Sequence, residues 1–370
     1  MKKKITFLFI VFTNIVFAQS GEVELKFNLP ELLSETSGLE FFNNKFISHN
    51  DSGGQPVLYE LDSVYGSIVR TVTILNAKNT DWEDIAQDEK HIFVADMGNN
   101  AGKRRDLKIY KISKNDYLNN STVIAKTINF KYGDQKDFSS SSKNNFDAEA
   151  LTSFKDSLLI FSKNRGDSKT KIYTLSKDGD SQIAKYKTTL DVDGLITGAT
   201  YNASNDSVLL CGYVDTLSPF LIYIESFSTS KSFVRINLSQ IIGVGSQVEG
   251  IAFDENGNYY FSREKFKKKI AGFSILTKPA IFSFELDKLI EPNLNNLISD
   301  YINGILESNI PIENVFQFEK IKISNELGET ILKRKDSFNQ VSMKNFKSGK
   351  YYAKIKLNDF TTITKEFIKN

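Results

Sequence analysis

The sequence contains little cysteine and little histidine. Among its 370 residues Cys211 is the one cysteine, and His49 and His91 are the two histidines. A single cysteine cannot form an internal disulfide, and two histidines exclude a histidine-rich metal site. Cys211 lies in an apolar run, residues 208–213, so we interpret it as a buried, inert thiol rather than a nucleophile.

The sequence also lacks a large charge excess and a long apolar stretch. Its formal net charge is +2, which argues against a nucleic-acid partner. The apolar run at residues 5–17 is too short to span a membrane, and it follows three lysines at residues 2–4. This pattern predicts a secretory signal peptide over residues 1–18, whose removal would change the net charge from +2 to −1. We therefore expect a soluble, exported protein without a transmembrane segment.

One three-part pattern recurs five times along the chain. Each copy begins with a short polar anchor, continues with an apolar strand-like run and ends with a second such run. The anchors are Ser37, Glu83, Glu149, Thr197 and Glu249, with spacings of 46, 66, 48 and 52 residues. A period near 40–50 residues with several short strands per repeat is typical of β-propeller blades. The sequence thus predicts an all-β, five-bladed β-propeller over residues 19–287. Six blades, or unrelated β-meanders in a sandwich, are the alternatives.

A fourth strand follows most repeats, but the fifth repeat has no clear one. The β-like run at residues 22–29 has no partner of its own in the repeat pattern. We expect it to pair with the last repeat and so close the ring.

The polar anchors also indicate where a site would lie. In an antiparallel blade, the start of the first strand and the end of the second lie at the same end, so these positions converge on one face. A crowded set of carboxylates there needs a cation or paired bases, and oxygen ligands suit Ca²⁺. The predicted metal ligands are Glu83, Glu149, Glu249 and Asp96, with Asp51 as a further candidate. Alternatively, the acids pair with basic residues and bind no metal, and no EF-hand loop is present.

Other residues at these positions are candidates for ligand binding or catalysis. The loop 96–105 is rich in glycine and asparagine and ends with two arginines, a composition that suits an anion as well as a plain loop. His49 is the one plausible imidazole acid or base. The predicted ligand-binding residues are Asp51, Asp81, Asn99, Asn100, Arg104, Arg105, Asn164, Arg165 and Arg263. The catalytic candidates are His49, Asp84, Arg104 and Lys163.

The repeats stop near residue 287, and the character of the chain changes. Residues 288–312 are predicted to form a linker. Residues 313–370 read as a small all-β unit, a predicted β-sandwich, with 12 Lys and Arg against 7 Asp and Glu. This basic composition supports a separate domain.

The C-terminal unit resembles the sorting domain of type IX secretion in Bacteroidetes. The residues that carry the resemblance are Lys320–Glu329, Phe346–Ile355 with its Ser-Gly-Lys-Tyr-Tyr run, and Thr364–Lys369. The sequence departs from that family at Ile312–Val315, where a Tyr-Pro-Asn-Pro-like run is usual. The resemblance implies recognition by the type IX secretion machinery and release to the cell surface or medium.

The repeat region is similar to a family of exported Bacteroidetes proteins without an assigned activity. The matching segments are Asn50–Gly53, Asp81–Ala86, Gly98–Asn100 with Arg104, Asp147–Ala150, Ile196–Ala199 and Gln247–Ile251. A looser similarity of layout links it to five-bladed calcium-dependent nucleotidases of the apyrase kind, which implies a central Ca²⁺.

Three functions are compatible with these patterns. The first is a secreted or surface propeller that binds an unknown ligand, with Ca²⁺, on the face of the blade starts. The second is a metal-dependent phosphoester or nucleotide hydrolase on the same face. The third is a non-catalytic surface adhesion or interaction protein.

Overall fold

The computed structural model of the chain describes residues 23–215, 217–229, 233–270, 273–290, 318–335, 346–357 and 362–369. The fold is all-β, as the sequence predicts, with short helical segments between strands. The predicted signal peptide, residues 291–312 of the predicted linker and the first residues of the C-terminal unit lie outside the described residues. Within the described ranges, no helix has the length and apolar character that crossing a membrane requires.

Five consecutive strand units follow an N-terminal strand. β1 (Val23–Asn28) and a 3₁₀ turn (Glu31–Leu33) come first. Unit one contains β2 (Thr36–Phe42), β3 (Lys45–Asn50), β4 (Val57–Asp62) and β5 (Ile68–Ile74). Unit two contains β6 (Trp82–Gln87), β7 (His91–Asp96), β8 (Lys108–Ser113), α1 (Lys114–Asn119), β9 (Thr122–Val123) and β10 (Lys126–Tyr132). Unit three contains β11 (Ala148–Phe154), β12 (Ser157–Ser162), β13 (Thr170–Ser176) and β14 (Ser181–Leu190).

The later strands complete the series. Unit four contains β15 (Leu195–Asn202), β16 (Ser207–Tyr213), β17 (Pro219–Ile224), β18 (Val234–Asn237) and α2 (Ser239–Ile242). Unit five contains β19 (Val248–Phe253), β20 (Tyr259–Arg263), the hairpin β21 (Phe266–Ile270) and β22 (Phe273–Thr277), and β23 (Ala280–Phe284). The C-terminal strands are β24 (Phe318–Asn325), β25 (Thr330–Lys335), β26 (Gly349–Leu357) and β27 (Thr362–Lys369).

Each unit is built on an antiparallel sheet that runs outward from its first strand. The last unit has the order β19-β20-β23-β1, so β1 supplies its outer strand. This pairing, Val23 with Phe284 through Asn28 with Ala280, confirms the predicted role of the N-terminal run. The outer strands β10 and β14 also pair in parallel, which joins units two and three into an eight-stranded sheet.

The five first strands pack against one another in a closed circle. The order is β2, β6, β11, β15, β19 and back to β2. Buried apolar clusters lie between neighbouring units, including one shared by the fifth and first units, where Tyr260 packs on Phe46. Because both sheet faces are covered, second strands such as Ser207–Tyr213 are buried along their whole length. This explains why they are nearly continuous apolar runs instead of alternating ones.

Every first strand carries a register shift at its polar anchor. The pairing with the second strand skips residues between Thr36 and Leu39, Trp82 and Asp84, Ala148 and Ala150, Ile196 and Gly198, and Val248 and Ile251. A β-bulge leaves the extra residue unpaired and turns its side chain. The five repeat anchors therefore occupy equivalent bulges.

The C-terminal strands form one antiparallel sheet in the order β25-β24-β26-β27. Its strands lie where the sequence predicts a small all-β unit. A second layer, which a sandwich requires, is not among the described residues, so the sandwich remains a prediction.

Candidate functional site

A polar cavity of about 140 Å³ lies where four of the five anchors converge. The fifth, Thr197, does not line it and donates its hydroxyl to the Val248 carbonyl at 2.6 Å. From the first-strand side it is lined by Ser37, Glu83, Glu149, Gln247 and Glu249. From the second-strand ends and their loops it is lined by Asp51, Asn100, Lys163, Arg165, Tyr213 and Glu264. We call this cavity the channel mouth. Five of its residues are carboxylic acids and two are bases, so the chain supplies an excess of negative charge.

Lys163 is the buried base of the channel mouth. Its side chain follows β12 and forms an ion pair with Glu149, and its Nζ lies 3.0 Å from the Tyr213 hydroxyl. Burial opposes the charge, but the Glu149 and Glu249 carboxylates raise the pKa of Lys163 well above its ordinary value. Lys163 is therefore a fixed ammonium ion inside the mouth.

Arg165 lies at the rim, with about a third of its side chain exposed. Its Nε is 3.3 Å from Asp147 Oδ2, and its Nη2 donates to Asn100 Oδ1 at 2.7 Å. The same Nη2 is 3.6 Å from Glu149 Oε1. The two bases of the mouth, Lys163 and Arg165, therefore both interact with Glu149.

Asp51, Asp81 and Glu83 form a cluster of carboxylates that no base among the described residues contacts directly. One carboxylate oxygen of each lies within 4.8 Å of the other two. Glu83 is 4% exposed, and across the described residues no hydrogen bond or ion pair reaches its carboxylate. Asp51 Oδ1 is buried without a hydrogen-bond partner.

The pKa values of these three groups reflect that environment. Burial, followed by the charges of neighbouring acids, raises the pKa of Glu83 well above its ordinary value. Burial also raises the pKa values of Asp51 and Asp81 to about 6 each, although Arg104 and Lys163 act at a distance in the opposite direction. The cluster therefore favours protons or a bound cation.

Beside this cluster, the space at Gly98 is too small for a side chain larger than hydrogen. An added Cβ at Gly98 would overlap the Glu83 carboxylate and lie 2.5 Å from Asp81 Oδ2. Glycine at this position lets the loop after β7 approach both carboxylates closely.

Glu249 and Glu264 also line the mouth. Glu249 is 7% exposed, and its carboxylate has neither a hydrogen bond nor an ion pair in the described part of the chain. Burial and the proximity of Glu264 raise its pKa well above the ordinary value, against the effect of Lys163. Burial raises the pKa of Glu264 to about 8. The mouth thus holds several acids with raised pKa values and one buried ammonium ion.

Several predicted site residues do not line the cavity and instead make contacts within the surrounding loops. Asp96 pairs with Arg104 Nη2 at 2.8 Å, and Arg104 also donates to the Gly98 carbonyl at 2.8 Å. The Arg105 guanidinium stacks on Phe138 at 3.6 Å. The structure therefore places Asp96 apart from the other predicted metal ligands and engages both arginines of the loop.

The remaining candidates are likewise held by nearby structural groups. Asn99 donates its side-chain amide to the Phe146 carbonyl, Asn164 donates to Asp167, and Arg263 donates to the Lys278 carbonyl. His49 is fully buried and packs edge-on against Trp82, with ring centroids 5.4 Å apart. Burial lowers the pKa of His49 to about 4, so its imidazole is neutral and does not line the mouth.

Of the predicted site residues, the mouth brings together Asp51, Glu83, Asn100, Glu149, Lys163, Arg165 and Glu249, with Asp81 adjoining. Four further lining residues are absent from the predicted metal, ligand-binding and catalytic residues, although Ser37 is one of the repeat anchors: Ser37, Tyr213, Gln247 and Glu264. Their positions in the repeat indicate them as lining residues, since each stands at a first-strand start or a second-strand end.

No protein-family model and no curated protein matches this sequence. Among solved structures, a mitotic checkpoint complex matches 65% of this chain and 60% of its own, at 11% identity and a TM-score of 0.31. The computationally designed protein Ika8 matches 93% of this chain and 100% of its own, at 12% identity and a TM-score of 0.31. A Lactobacillus plantarum protein matches 66% of this chain and 70% of its own, at 12% identity and a TM-score of 0.35. These similarities are too weak to assign a function.

Proposed function

We propose that residues 23–287 form a five-bladed β-propeller that binds a divalent cation, Ca²⁺, at Asp51, Asp81 and Glu83. The observation that carries the proposal is this cluster of three carboxylates, of which Glu83 is buried and Asp51 and Asp81 are partly buried, with no base of the described ranges in contact. The closed circle of five first strands supports the propeller. A bound cation would offset the mutual repulsion of the three acids.

The lining of the mouth favours an inorganic cation over an organic ligand. Apart from the Tyr213 ring, the described lining residues are charged or carry hydroxyl or amide groups. Pockets for organic ligands are mostly apolar and occupy about 300–1,000 Å³. The mouth has about 140 Å³, which is below that range. This suits a cation with part of its hydration shell.

The chemistry of the ligands favours Ca²⁺ among the common cations. Ca²⁺ takes six to eight oxygen ligands and accepts irregular geometry, and water can complete its shell. Asp51, Asp81 and Glu83 would provide the charge. The bound cation would neutralise this part of the mouth and hold units one and two together, since Asp51 follows β3 while Asp81 and Glu83 stand at the start of β6.

The hydrolase alternative has less support. The residues expected to take a phosphate are Arg104, Arg105 or Lys163. Arg104 and Arg105 are engaged in the loop 96–106 and on Phe138, and Lys163 lines the mouth but is paired with Glu149. The mouth, at about 140 Å³, is also smaller than usual pockets for organic ligands. We therefore favour cation binding over hydrolysis as the function of the mouth. No contact among the described residues favours the interaction-protein alternative.

We further propose export through the signal peptide and sorting by the type IX secretion machinery. The support is the resemblance of the C-terminal unit, whose Gly-Lys-Tyr-Tyr run begins β26. Secretion of the chain with and without residues 313–370 from a type IX-competent host tests this proposal.

Calorimetric titration of the full chain with Ca²⁺ tests the cation site. We expect saturable binding with a Kd below about 1 mM, the weak end of natural calcium sites. Asp81→Asn and Glu83→Gln should each weaken binding at least tenfold, since each removes a ligand charge. Asp180→Asn is the matched control, because this side chain is exposed and lies 3.5 Å from Lys126. Absence of Ca²⁺ binding by the folded wild-type chain would overturn the proposal.

A further inference from the structure

We propose that Asn79 is a positioning residue for the cation site, because its side-chain amide fixes a loop of unit one against the start of unit two. The inference rests on the proposed function, since it concerns the carboxylates of Asp51, Asp81 and Glu83. It adds to the residues that would contact the cation the residue that holds two units of the ring at the spacing which brings these carboxylates together.

The three carboxylates are divided between two units. Asp51 follows β3 of unit one, whereas Asp81 and Glu83 stand at the start of β6 in unit two. One oxygen of each lies within 4.8 Å of the other two, so the set exists only while the two units keep this spacing. Asp51 lies beyond the last paired residue of β3, Asn50. Its position relative to unit two therefore depends on contacts outside the sheet.

The Asn79 amide contacts both units. Its Nδ2 donates to the Asn50 carbonyl at 3.0 Å and to the Asp51 carbonyl at 2.5 Å. Its Oδ1 accepts the N–H of Trp82, the first residue of β6, at 3.3 Å. The orientation of the amide is fixed, because carbonyls only accept and a backbone N–H only donates. One side chain thus joins the loop that carries Asp51 to the strand start that carries the other two acids.

The described part of the chain provides no other hydrogen bond for this task. Both hydrogen bonds from residues 49–54 to unit two or its preceding connection come from the Asn79 amide. The His49 ring also packs on Trp82 across this boundary, but it does so from β3 itself, before the turn that carries Asp51. Asn79 is 3% exposed, so solvent competes little for its hydrogen bonds. Removal of the amide should therefore release the Asp51 loop from unit two.

A purely structural role for Asn79 is the alternative, and Asn76 in the same connection provides the comparison. Asn76 Nδ2 donates to the Ala125 carbonyl at 2.8 Å, and its Oδ1 accepts the Ala125 N–H at 2.9 Å. These bonds also tie the connection between β5 and β6 to unit two, but they reach none of the three acids or their loops. If both asparagines only held the chain, their loss would affect stability alone.

Calorimetric titration of the full chain and its variants with Ca²⁺ tests the inference. Asn79→Ala should weaken binding by the folded chain about three- to tenfold, whereas Asn76→Ala, the matched control, should stay within about twofold of wild type. The double variant Asp51→Asn/Asn79→Ala should bind within about twofold of Asp51→Asn alone, because a positioning residue acts through the group that it positions. Additive losses in this cycle, or wild-type affinity in a folded Asn79→Ala chain, would overturn the inference.

A milder variant and a spectroscopic signal keep the test decisive if Asn79→Ala does not fold. Trp82 is the one tryptophan of the chain and adjoins two of the proposed ligands, so Tb³⁺ bound in place of Ca²⁺ should show emission sensitised by this ring.

Asn79→Ser keeps an oxygen for the Trp82 N–H but has one donor for two carbonyls. It should need at least about threefold more Tb³⁺ for half-maximal emission, and a curve equal to that of wild type would contradict the role of Asn79. If the wild-type chain binds neither ion, the proposed function fails and the inference fails with it. Wild-type binding with equal affinity in the Asn79 variants refutes the inference alone.

Discussion

At the scale of single residues, two neighbouring acids have opposite tasks. Glu83 points into the channel mouth, whereas the Asp84 carboxylate accepts backbone N–H groups from three first strands. The donors are Ile85 at 2.9 Å, Leu151 at 2.8 Å and Ala199 at 3.3 Å. Asp84 is thus a buried tie between units two, three and four, although the sequence made it a catalytic candidate.

The sequence could not separate these two roles. The run Asp81–Ala86 shows that acids begin the strand, but the bulge between Trp82 and Asp84 decides which of them faces the axis. The same limit applies to Lys163, which reads equally well as an ion-pair partner or a catalytic base. Burial and the identity of its partners, which only the fold provides, distinguish the two.

Substitution of Asp84 should destabilise the fold without removing the cation site. Asp84→Ala leaves three buried N–H groups without acceptors, so we expect a loss of about 3–5 kcal/mol in the free energy of unfolding. Asp84→Asn keeps one acceptor oxygen and should cost less. Urea denaturation measures both, with Asp180→Ala as an exposed control expected within about 0.5 kcal/mol. A stable Asp84→Ala chain that has lost Ca²⁺ binding would make Asp84 a site residue after all.

At the scale of elements, the sequence predicts the recurring strand unit but not the β-bulge in its first strand. Strand order follows from the alternation of apolar runs and turns, and the predicted pairing of the N-terminal run with the last unit is confirmed. The register shift at each anchor has no sequence signal beyond a small or polar residue pair such as Ser37-Gly38 or Glu249-Gly250. The convergence of the anchors on one face was nevertheless predictable, because it depends only on antiparallel topology.

Close approach of the first strands requires glycine where the circle closes. An added Cβ at Gly250 would lie 2.5 Å from Leu39 N and 2.6 Å from the Ser37 carbonyl oxygen. Since backbone atoms cannot move aside, Gly250→Ala should destabilise the fold by about 1–3 kcal/mol. Gly54→Ala is the control, because its nearest contact would be Asn79 Nδ2 at 3.7 Å. Equal urea midpoints for the two variants would contradict the tight closure between units five and one.

At the scale of the whole molecule, the mouth concentrates negative charge that the fold must tolerate. Folded-state pKa values near 6 for Asp51 and Asp81 and near 8 for Glu264 lie above those of unfolded chains. The folded chain therefore holds more protons than the unfolded chain between about pH 4 and pH 8. By linkage, rising pH through this window lowers the stability of the cation-free protein. A bound divalent cation would replace those protons and remove the loss.

The most direct test is the unfolding temperature of the full chain across about pH 5 to pH 8, with chelator and with Ca²⁺. Without metal, we expect the unfolding temperature to fall as pH rises. Ca²⁺ should raise it, and most at the alkaline end, because a ligand that binds only the folded state stabilises it. The double variant Asp81→Asn/Glu83→Gln should show a flatter pH profile and no calcium effect. An unfolding temperature that Ca²⁺ leaves unchanged at pH 8, or that rises with pH in chelator, would contradict the account.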